Sequence, residues 1–223
     1  MNLDRIVNLI APFYCLGCNR IGHGLCEACE ASQLFKIESR CYRCHRFTLQ
    51  YQVCTSCRTK SSLMHLWVLS AYEGLGKDVI DLMKFERAQS FTKDVGRAMA
   101  NLAPILPGDT IVCPIPTSPA RVRIRGYDQA KLIAKTVAKH KKLKYKSMLI
   151  KVNNTRQVGS GRDQRFKQAE NAYELISKTV KNRKILLVDD VTTSGATLEA
   201  AARLLKKAGA SQVDGIVFAQ ALD

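Results

Sequence analysis

The sequence contains no apolar run approaching the ~18 residues that a membrane-spanning helix requires, so we expect no membrane span. It also lacks the pattern of a secretory signal peptide, because Asp4 offsets Arg5 and the apolar run of residues 6–14 is interrupted by Asn8 and Pro12. Long stretches of biased composition are absent too, and a hydrophobic fraction of 46% with a charged fraction of 24% is typical of chains that fold. Together these absences predict a folded, cytoplasmic protein.

Acidic residues are scarce. Nineteen Asp and Glu residues stand against thirty-five Lys and Arg residues, which gives a formal net charge of +16. The excess is concentrated in residues 121–170, which hold fifteen basic and three acidic residues, a net +12. A field of this sign raises the local concentration of phosphates, nucleotides and nucleic acids. We interpret this segment as a phosphate-facing surface, in preference to a solvated helix face.

The length of 223 residues accommodates one α/β domain and a small appendage. Composition changes near residue 60, where a cysteine-rich stretch gives way to aliphatic patterns. We predict that residues 1–60 form an N-terminal helix, at residues 2–11, followed by a zinc-binding module of the double zinc-ribbon kind. Residues 61–223 are predicted to form the α/β domain.

Eight of the nine cysteines form four Cys-x₂-Cys knuckles, at Cys15 and Cys18, Cys26 and Cys29, Cys41 and Cys44, and Cys54 and Cys57. Cytoplasmic thiols stay reduced, and two knuckles supply the four thiolates of a closed structural zinc site. The first knuckle pairs either with the second, in series, or with the third, as a cross-brace. His23 or His45 is an alternative ligand. Cys113, which follows a predicted strand, is interpreted as a buried apolar residue and not as a nucleophile.

The second part of the chain alternates strand and helix patterns, which is typical of a parallel sheet. Strands are predicted at residues 66–72, 110–113, 148–152, 184–188 and 213–219, and helices at 76–85, 91–102, from about 130 to the basic run 139–146, and 197–207. Gly209 is expected to end the last helix. Residues 115–125 and 153–168 are predicted loops, the second of them mobile and cationic.

The most informative segment is Ile185 to Thr197, an apolar strand followed by two aspartates and a small hydroxyl-rich turn that opens a helix. In parallel sheets, ligands bind beyond the carboxyl ends of the strands, where a helix presents unpaired N–H groups to an anion. Gly195 allows close backbone approach, and the hydroxyls of Thr193, Ser194 and Thr197 are further donors. A monophosphate fits this turn.

Asp189 and Asp190 would repel a phosphate unless they bond another group. The vicinal hydroxyls of a ribose, one sugar away from its 5′-phosphate, meet that requirement, and Mg²⁺ on the sugar relieves the repulsion further. The alternative is that Asp190 is a loop residue or helix cap and that the hydroxyls are ordinary turn chemistry. The whole thirteen-residue string favours the phosphate site.

This string resembles the signature of the type I phosphoribosyltransferases, which have a parallel α/β sheet and use phosphoribosyl diphosphate with Mg²⁺. The resemblance assigns the ribose, and the catalytic role, to Asp189 and Asp190. It places the phosphate and ribose contacts at Asp189, Asp190, Thr192, Thr193, Ser194, Gly195, Ala196 and Thr197. Hypoxanthine-type members carry a carboxylate where this chain has Thr193, a departure that argues against ordinary purine salvage.

The order of features along the chain resembles the ComF competence family. After the four knuckles come residues 71–73 (Ala-Tyr-Glu), 82–85 (Leu-Met-Lys-Phe), 113–116 (Cys-Pro-Ile-Pro), 123–130 (Arg-Ile-Arg-Gly-Tyr-Asp-Gln-Ala), 155–157 (Thr-Arg-Gln), Arg165 and 171–173 (Asn-Ala-Tyr). Arg156 replaces the family's usual proline, and Tyr127-Asp128 replaces its Phe-Asn. Both departures lie outside the phosphate loop.

The resemblance implies a role in natural transformation, with phosphoribosyl diphosphate as a ligand and, as further partners, single-stranded DNA and other competence proteins such as a DNA-uptake helicase. Diphosphate or nucleic-acid phosphate is expected at Lys84, Arg123, Arg125, Arg156, Arg162 and Arg165. For Arg125 a surface salt bridge is an equal alternative, and for Lys84 and Tyr127 core packing is favoured. Three functions stay open: a Mg²⁺-dependent transferase with loop 153–168 closing over diphosphate, a single-stranded-DNA-binding factor without transferase activity, and a nucleobase-salvage enzyme.

Overall fold

The computed structural model describes residues 14–85, 89–152, 172–177 and 179–221. The predicted N-terminal helix at residues 2–11 and the predicted loop at 153–168 lie outside these ranges. The cysteine-rich part holds two short helices, α1 (Glu27–Gln33) and α2 (Thr55–Arg58), and a 3₁₀ turn at Leu49–Tyr51.

A five-stranded parallel sheet forms the centre of the molecule. Its strands are β1 (Leu66–Ala71), β2 (Ile111–Pro114), β3 (Lys144–Tyr145), β6 (Lys184–Thr192) and β7 (Gln212–Gln220), in the spatial order β1-β7-β6-β2-β3. The central strands β6 and β7 are apolar and buried. This is expected because helices cover both faces of a parallel sheet. The α/β fold predicted from the sequence is confirmed.

Helices cover both faces of the sheet. The helices are α3 (Gly74–Phe85), α4 (Phe91–Leu102), α5 (Pro119–Arg125), α6 (Gln129–Lys141) and α7 (Ala196–Lys207). One hydrophobic cluster joins α3, α4 and α6 to one face through residues such as Ile80, Met99 and Ile133. The other joins α7 to the opposite face through Leu198 and Leu205.

A separate two-stranded antiparallel ribbon pairs β4 (Leu149–Lys151) with β5 (Tyr173–Leu175). The predicted strand at 148–152 therefore exists, but it belongs to this ribbon and not to the parallel sheet. The sequence patterns did not indicate β5 or the short strand β3.

Three predicted boundaries were wrong. Residues 115–125 were predicted to be a loop, but Pro119–Arg125 is helical, with Pro119 in the first turn and Gly126 at φ +84° after the last. The predicted strand at 184–188 continues to Thr192, because its pairing with β7 runs on to the Thr192 and Gln220 pair. The first helix of the α/β part begins at Gly74, two residues earlier than predicted.

The cysteine-rich part packs against both faces of the sheet. Cys15, Leu25 and Cys29 join the hydrophobic cluster of α4 and α6, whereas Tyr42, Val53 and Cys54 join that of α7. Two hydrogen bonds tie it to the edge strand β1 and to the residues just before that strand, from Ala71 N–H to the carbonyl of Phe35 and from Val53 N–H to that of Met64. The residues before and after position 60 thus share their apolar cores.

Among the helices of the described ranges, none combines the length and the apolar character needed to cross a membrane.

Candidate functional site

The carboxyl ends of the central strands open into a cavity of about 450 Å³, here called the strand-end cavity. Its walls come from α3, the turn after β2, α5, α6, the β4–β5 ribbon and β6. They include Lys84, Phe85, Thr117, Arg121, Ile124, Arg125, Gln129, Lys151, Tyr173, Asp189, Asp190 and Thr197. Segments that lie far apart in the sequence meet here because every parallel strand ends at this edge.

A second pocket, of about 210 Å³, adjoins the first and is lined entirely by residues 191–197. We call it the loop pocket. It shares Val191 and Thr197 with the strand-end cavity. The amino-terminal end of α7 faces it, because Ala196 and Thr197 belong to the first turn of that helix. Unpaired N–H groups at a helix start favour an anion at this position.

Gly195 makes this turn possible. Its φ of +78° lies in the left-handed region, which suits glycine, and it precedes the first residue of α7. A Cβ at this position would stand 2.5 Å from the ring of Tyr42. The turn is therefore shaped by a residue of the cysteine-rich part as well as by its own sequence.

The two aspartates lie at the end of β6, and they occupy different environments. Asp190 is buried, and its Oδ2 accepts a hydrogen bond of 2.8 Å from Gln129 Nε2 and lies 3.6 Å from Lys84 Nζ. Its Oδ1 accepts from the N–H of Val191 at 2.8 Å. Asp189 is half-buried and lines the strand-end cavity, and its Oδ1 accepts from the N–H of Asp190 at 2.9 Å.

Burial raises the pKa of the Asp189 carboxyl well above its usual value, and the negative charge of Asp190 acts in the same direction. Lys84 opposes this shift only weakly. Such a carboxylate gains from a ligand that donates hydrogen bonds to it or brings positive charge beside it. A ribose hydroxyl and a magnesium ion are both groups of this kind.

A chain of polar side chains extends from the aspartates across the cavity. Arg125 donates to Gln129 Oε1 at 2.8 Å, and Gln129 in turn donates to Asp190. Burial lowers the pKa of Arg125, and the Asp190 charge counters this effect. Arg125 therefore lies at the cavity wall with its guanidinium directed by Gln129. The surface salt bridge, which the sequence left as an equal alternative for Arg125, is not seen among the described residues.

Lys84 lines the cavity, and its ammonium lies 5.8 Å from the centre of the Tyr72 ring. Tyr72 donates a hydrogen bond to Asp81, one helical turn before Lys84. Tyr127 is half-buried and donates to the carbonyl of Met83 at 2.6 Å, so it supports α3 as a packing residue. Arg123 is exposed on α5, beside Arg121 and Arg125, both of which line the cavity.

Several lining residues were missed in the sequence. Arg121, Gln129, Lys151 and Tyr173 reach the cavity only because α5, α6 and the β4–β5 ribbon fold over the strand ends. Burial lowers the pKa of Lys151, whose ammonium lies 5.7 Å from the Tyr173 ring. Arg156, Arg162 and Arg165, and the loop in which they were predicted to lie, fall outside the described residues.

The cysteines form two groups of four. Cys15, Cys18, Cys26 and Cys29 make the first cysteine cluster, and Cys41, Cys44, Cys54 and Cys57 make the second; within each, all sulfurs lie within 4.8 Å of one another. The Cys18–Cys26 and Cys44–Cys54 sulfur distances are 3.7 and 3.5 Å. A tetrahedral zinc with bonds of about 2.3 Å requires sulfurs about 3.8 Å apart, so both clusters fit zinc. The knuckles thus pair in series, and neither group includes a histidine.

Cys113 is fully buried on β2, and burial raises its pKa to about 12. A thiol in this state is protonated and inaccessible, so it acts as an apolar side chain. This agrees with the interpretation from its sequence position.

Residues 129–222, from the start of α6 through β7, match the family model described as the phosphoribosyl transferase domain. Two curated proteins are similar over most of the chain. The competence protein ComFC of Bacillus subtilis is 28% identical over 87% of this chain and 83% of its own length. Competence protein F of Haemophilus influenzae is 27% identical over 90% of this chain and 94% of its own.

Among solved structures, the glutamine phosphoribosylpyrophosphate amidotransferase of B. subtilis aligns with a TM-score of 0.41 and 19% identity. The alignment covers 58% of this chain but only 26% of the amidotransferase. A purine phosphoribosyltransferase from Pyrococcus horikoshii aligns with a TM-score of 0.38 and 14% identity, over 57% of this chain and 80% of its own.

Proposed function

We propose that this chain, which is similar to two competence proteins over most of its length and matches the phosphoribosyl transferase domain over residues 129–222, binds phosphoribosyl diphosphate with Mg²⁺ and acts in natural transformation. The proposal concerns the ligand, the ion and the process.

The observation that carries it is the adjoining pair of pockets at one sheet edge. The loop pocket has a helix start and hydroxyl side chains, and the walls of the adjoining strand-end cavity include Asp189 and four cations. Phosphoribosyl diphosphate presents a 5′-phosphate, a sugar with two free hydroxyls and a diphosphate. One ligand of this kind therefore meets a matching group in each part of the site.

Asp189 is the group we assign to the ribose hydroxyls. It lines the cavity, its pKa is raised by burial and by the Asp190 charge, and its neighbour Asp190 is already bonded by Gln129 and Val191. Asp190 thus holds Asp189 and Gln129 in place and adds negative charge beneath the sugar. The oxygen donors of this pair suit Mg²⁺, which when bound would neutralise charge on the diphosphate.

Four cations line the strand-end cavity, namely Lys84, Arg121, Arg125 and Lys151. We assign the diphosphate to them. When an acceptor displaces the diphosphate, a new bond forms to the sugar carbon, the bond from that carbon to the diphosphate oxygen breaks, the electron pair leaves with the diphosphate, and positive charge develops on the ribose in the transition state. Cations that hold the leaving group and carboxylates beneath the sugar stabilise these two opposite charges.

A second candidate is the binding of single-stranded DNA, which Arg121, Arg123 and Arg125 on α5 favour. Beside them, Ile124 and Phe85 at the cavity rim are 73% and 75% exposed. Phosphate contacts and an exposed aromatic ring are the elements that single-stranded nucleic acid uses. DNA binding of this kind weakens steeply with salt because counterions are released, and a flat salt response would count against it.

Orthodox nucleobase salvage is a third candidate and makes a separate prediction, tight binding of one free purine or pyrimidine. Thr193, where hypoxanthine-type enzymes carry a carboxylate, gives no group at that position to exchange a proton with a purine.

Calorimetric titration of phosphoribosyl diphosphate with Mg²⁺ tests the proposal. We expect saturable binding to the wild type and its loss in the Asp189→Asn, Asp190→Asn double variant. Asp214→Asn is the matched control, because Asp214 is a buried carboxylate near the amino-terminal end of β7, away from the strand ends that form the cavity, and it is bonded to His65 and Gln212. Equal binding by the double variant and the control would refute the assignment of the aspartates.

A further inference from the structure

Tyr42 connects the second cysteine cluster to the loop pocket. It stands between Cys41 and Cys44 in the sequence and is buried to 1% exposure. Its ring packs against Gly195. Nothing in the phosphate loop's own sequence indicates this contact, because the two segments are more than 150 residues apart.

The hydroxyl of Tyr42 makes the second connection. It donates a hydrogen bond of 2.6 Å to Glu199 Oε2, in the first turn of α7. Glu199 is buried, and its other donors are Ser61 Oγ at 2.9 Å and the N–H of Ser62 at 2.7 Å. The N–H of Glu199 bonds to the carbonyl of Gly195 at 2.9 Å. The phosphate loop is therefore positioned by the Tyr42 ring and by the buried carboxylate of Glu199.

Among the described residues, no contact joins the first cysteine cluster to the phosphate loop. This cluster docks on α4, where Asp94 accepts from the N–H groups of Gly24 and Leu25 at 2.7 and 3.2 Å. Arg97 of the same helix pairs with Glu27 and Glu30. The two clusters therefore brace opposite faces of the sheet, and the second one braces the loop.

We infer that Tyr42 is a positioning residue for the phosphate loop, and that the intact second cysteine cluster, through Tyr42 and Glu199, sets the affinity of the loop pocket for the donor's 5′-phosphate. This inference rests on the proposed function. The four cysteines fix the backbone of Tyr42, the ring fixes Gly195, and the Glu199 bonds fix the start of α7. The first cluster contributes to stability and leaves the loop pocket unchanged.

The clusters provide matched variants. Cys18 and Cys44 are the exposed cysteines of their clusters, and each is the second cysteine of its first knuckle. We expect Cys44→Ser to weaken the binding of phosphoribosyl diphosphate by about 5- to 150-fold, the usual range of coupling between sites, whereas Cys18→Ser stays within about twofold of wild type. Metal content and far-UV circular dichroism confirm that each variant has lost one metal and remains folded.

Hydrogen exchange gives a readout that does not depend on the donor. Amides of residues 191–199 are expected to exchange faster in Cys44→Ser than in Cys18→Ser, without ligand. If wild type does not bind phosphoribosyl diphosphate, the proposed function fails, and this exchange comparison still decides the inference. Equal exchange of the loop in the two variants would overturn it, as would equal loss of affinity.

Variants of Tyr42 separate the ring from the hydroxyl. Tyr42→Phe keeps the ring on Gly195 and leaves Glu199 bonded to Ser61 and Ser62, so affinity should fall by no more than about tenfold, the value of one hydrogen bond. Tyr42→Ala removes both contacts and should resemble Cys44→Ser in loop exchange. Val53→Ala, a truncation in the same hydrophobic cluster, is the control for lost packing. If the loop amides exchange as fast in Val53→Ala as in Tyr42→Ala, Tyr42 is an ordinary packing residue and the inference is wrong.

Discussion

Gly195 combines a backbone conformation and a neighbour that together suit only glycine. Its φ is +78°, and a Cβ would stand 2.5 Å from the Tyr42 ring. Gly126 has a similar φ of +84° and nothing within 4 Å of its ideal Cβ. The two positions therefore differ in steric contact and hardly at all in backbone conformation.

Gly195→Ala is predicted to abolish donor binding and to lower the free energy of unfolding by more than Gly126→Ala. The backbone alone costs about 1–2 kcal/mol in each, and the excess at Gly195 measures the collision with Tyr42. Urea unfolding and calorimetric titration provide the two readouts. Equal destabilisation by the two variants would mean that the Tyr42 ring moves away from the added Cβ without a loss of stability.

The environment of Asp189 disfavours the ionised form of its carboxyl group. Its pKa in the folded protein is raised, by burial and by Asp190, above its value in the unfolded chain. The folded state therefore binds this proton more tightly, and stability falls as pH rises from the unfolded pKa through the folded one. The destabilisation is complete only above the pKa of the folded state.

Asp189→Asn is therefore predicted to raise the free energy of unfolding at pH 8, with the gain shrinking as the pH is lowered into the acid range where the wild-type carboxyl is protonated. The amide oxygen can still accept from the N–H of Asp190. Urea denaturation at pH 8 and pH 5 makes the comparison. A variant that is less stable than wild type at pH 8 would contradict the raised pKa.

At the residue scale, the sequence indicated the contiguous part of the site. Thr193, Ser194, Gly195 and Thr197 line one pocket, and their role in binding a phosphate stays a prediction. Gln129 and Tyr42 were missed, because their roles depend on contacts across 61 and 157 positions of sequence. No local pattern carries information about such partners.

At the scale of elements, strand β6 determines how the two aspartates are presented. It continues to Thr192 by pairing with β7, so Asp189 and Asp190 belong to a strand and not to a turn. Both aspartates line the cavity, but successive side chains of a strand point to opposite sides, which agrees with their different hydrogen-bond partners. The predicted turn began too early because acidic residues are uncommon inside buried strands.

The sequence around the short helix α5 contains helix start and stop residues, although this segment was predicted to be a loop. Ser118 precedes it, Pro119 occupies its first turn and Gly126 ends it, a typical arrangement of start and stop residues. The β4–β5 ribbon, by contrast, pairs two segments separated by the residues outside the described ranges. Its partner choice could not be derived from either segment alone.

Helix α4 is the docking element of the first cysteine cluster, and Asp94 is its main contact. Asp94→Ala leaves two N–H groups, of Gly24 and Leu25, without their acceptor, and is predicted to cost about 1–3 kcal/mol of stability. Donor affinity should stay unchanged, because this cluster lies on the face opposite to α7. Thermal unfolding and calorimetry are the measurements, and a loss of affinity would show that both clusters influence the site.

At the scale of the whole molecule, the cysteine-rich part and the sheet share both hydrophobic clusters. We therefore propose that residues 1–60 and 61–223, predicted from composition to be two domains, unfold together. The change in composition near residue 60 reflects the cysteine-rich sequence of the two clusters. It does not by itself indicate two independent cores.

Two closed tetrathiolate clusters predict two zinc ions for each chain. Cys18→Ser and Cys44→Ser should each retain one, and chelation of both should lower the unfolding temperature in a single transition, because binding of zinc is coupled to folding. Native mass spectrometry counts the ions and calorimetry follows unfolding. One zinc in the wild type, or two separate transitions after partial chelation, would contradict this account.

The most direct test of the central claim is a crystal structure of the protein with phosphoribosyl diphosphate and Mg²⁺. The account predicts the 5′-phosphate in the loop pocket against residues 193–197, the ribose hydroxyls at Asp189, and the diphosphate among Lys84, Arg121, Arg125 and Lys151. Phosphate density that leaves the loop pocket empty, or a ligand bound along α5 outside the strand-end cavity, would contradict it.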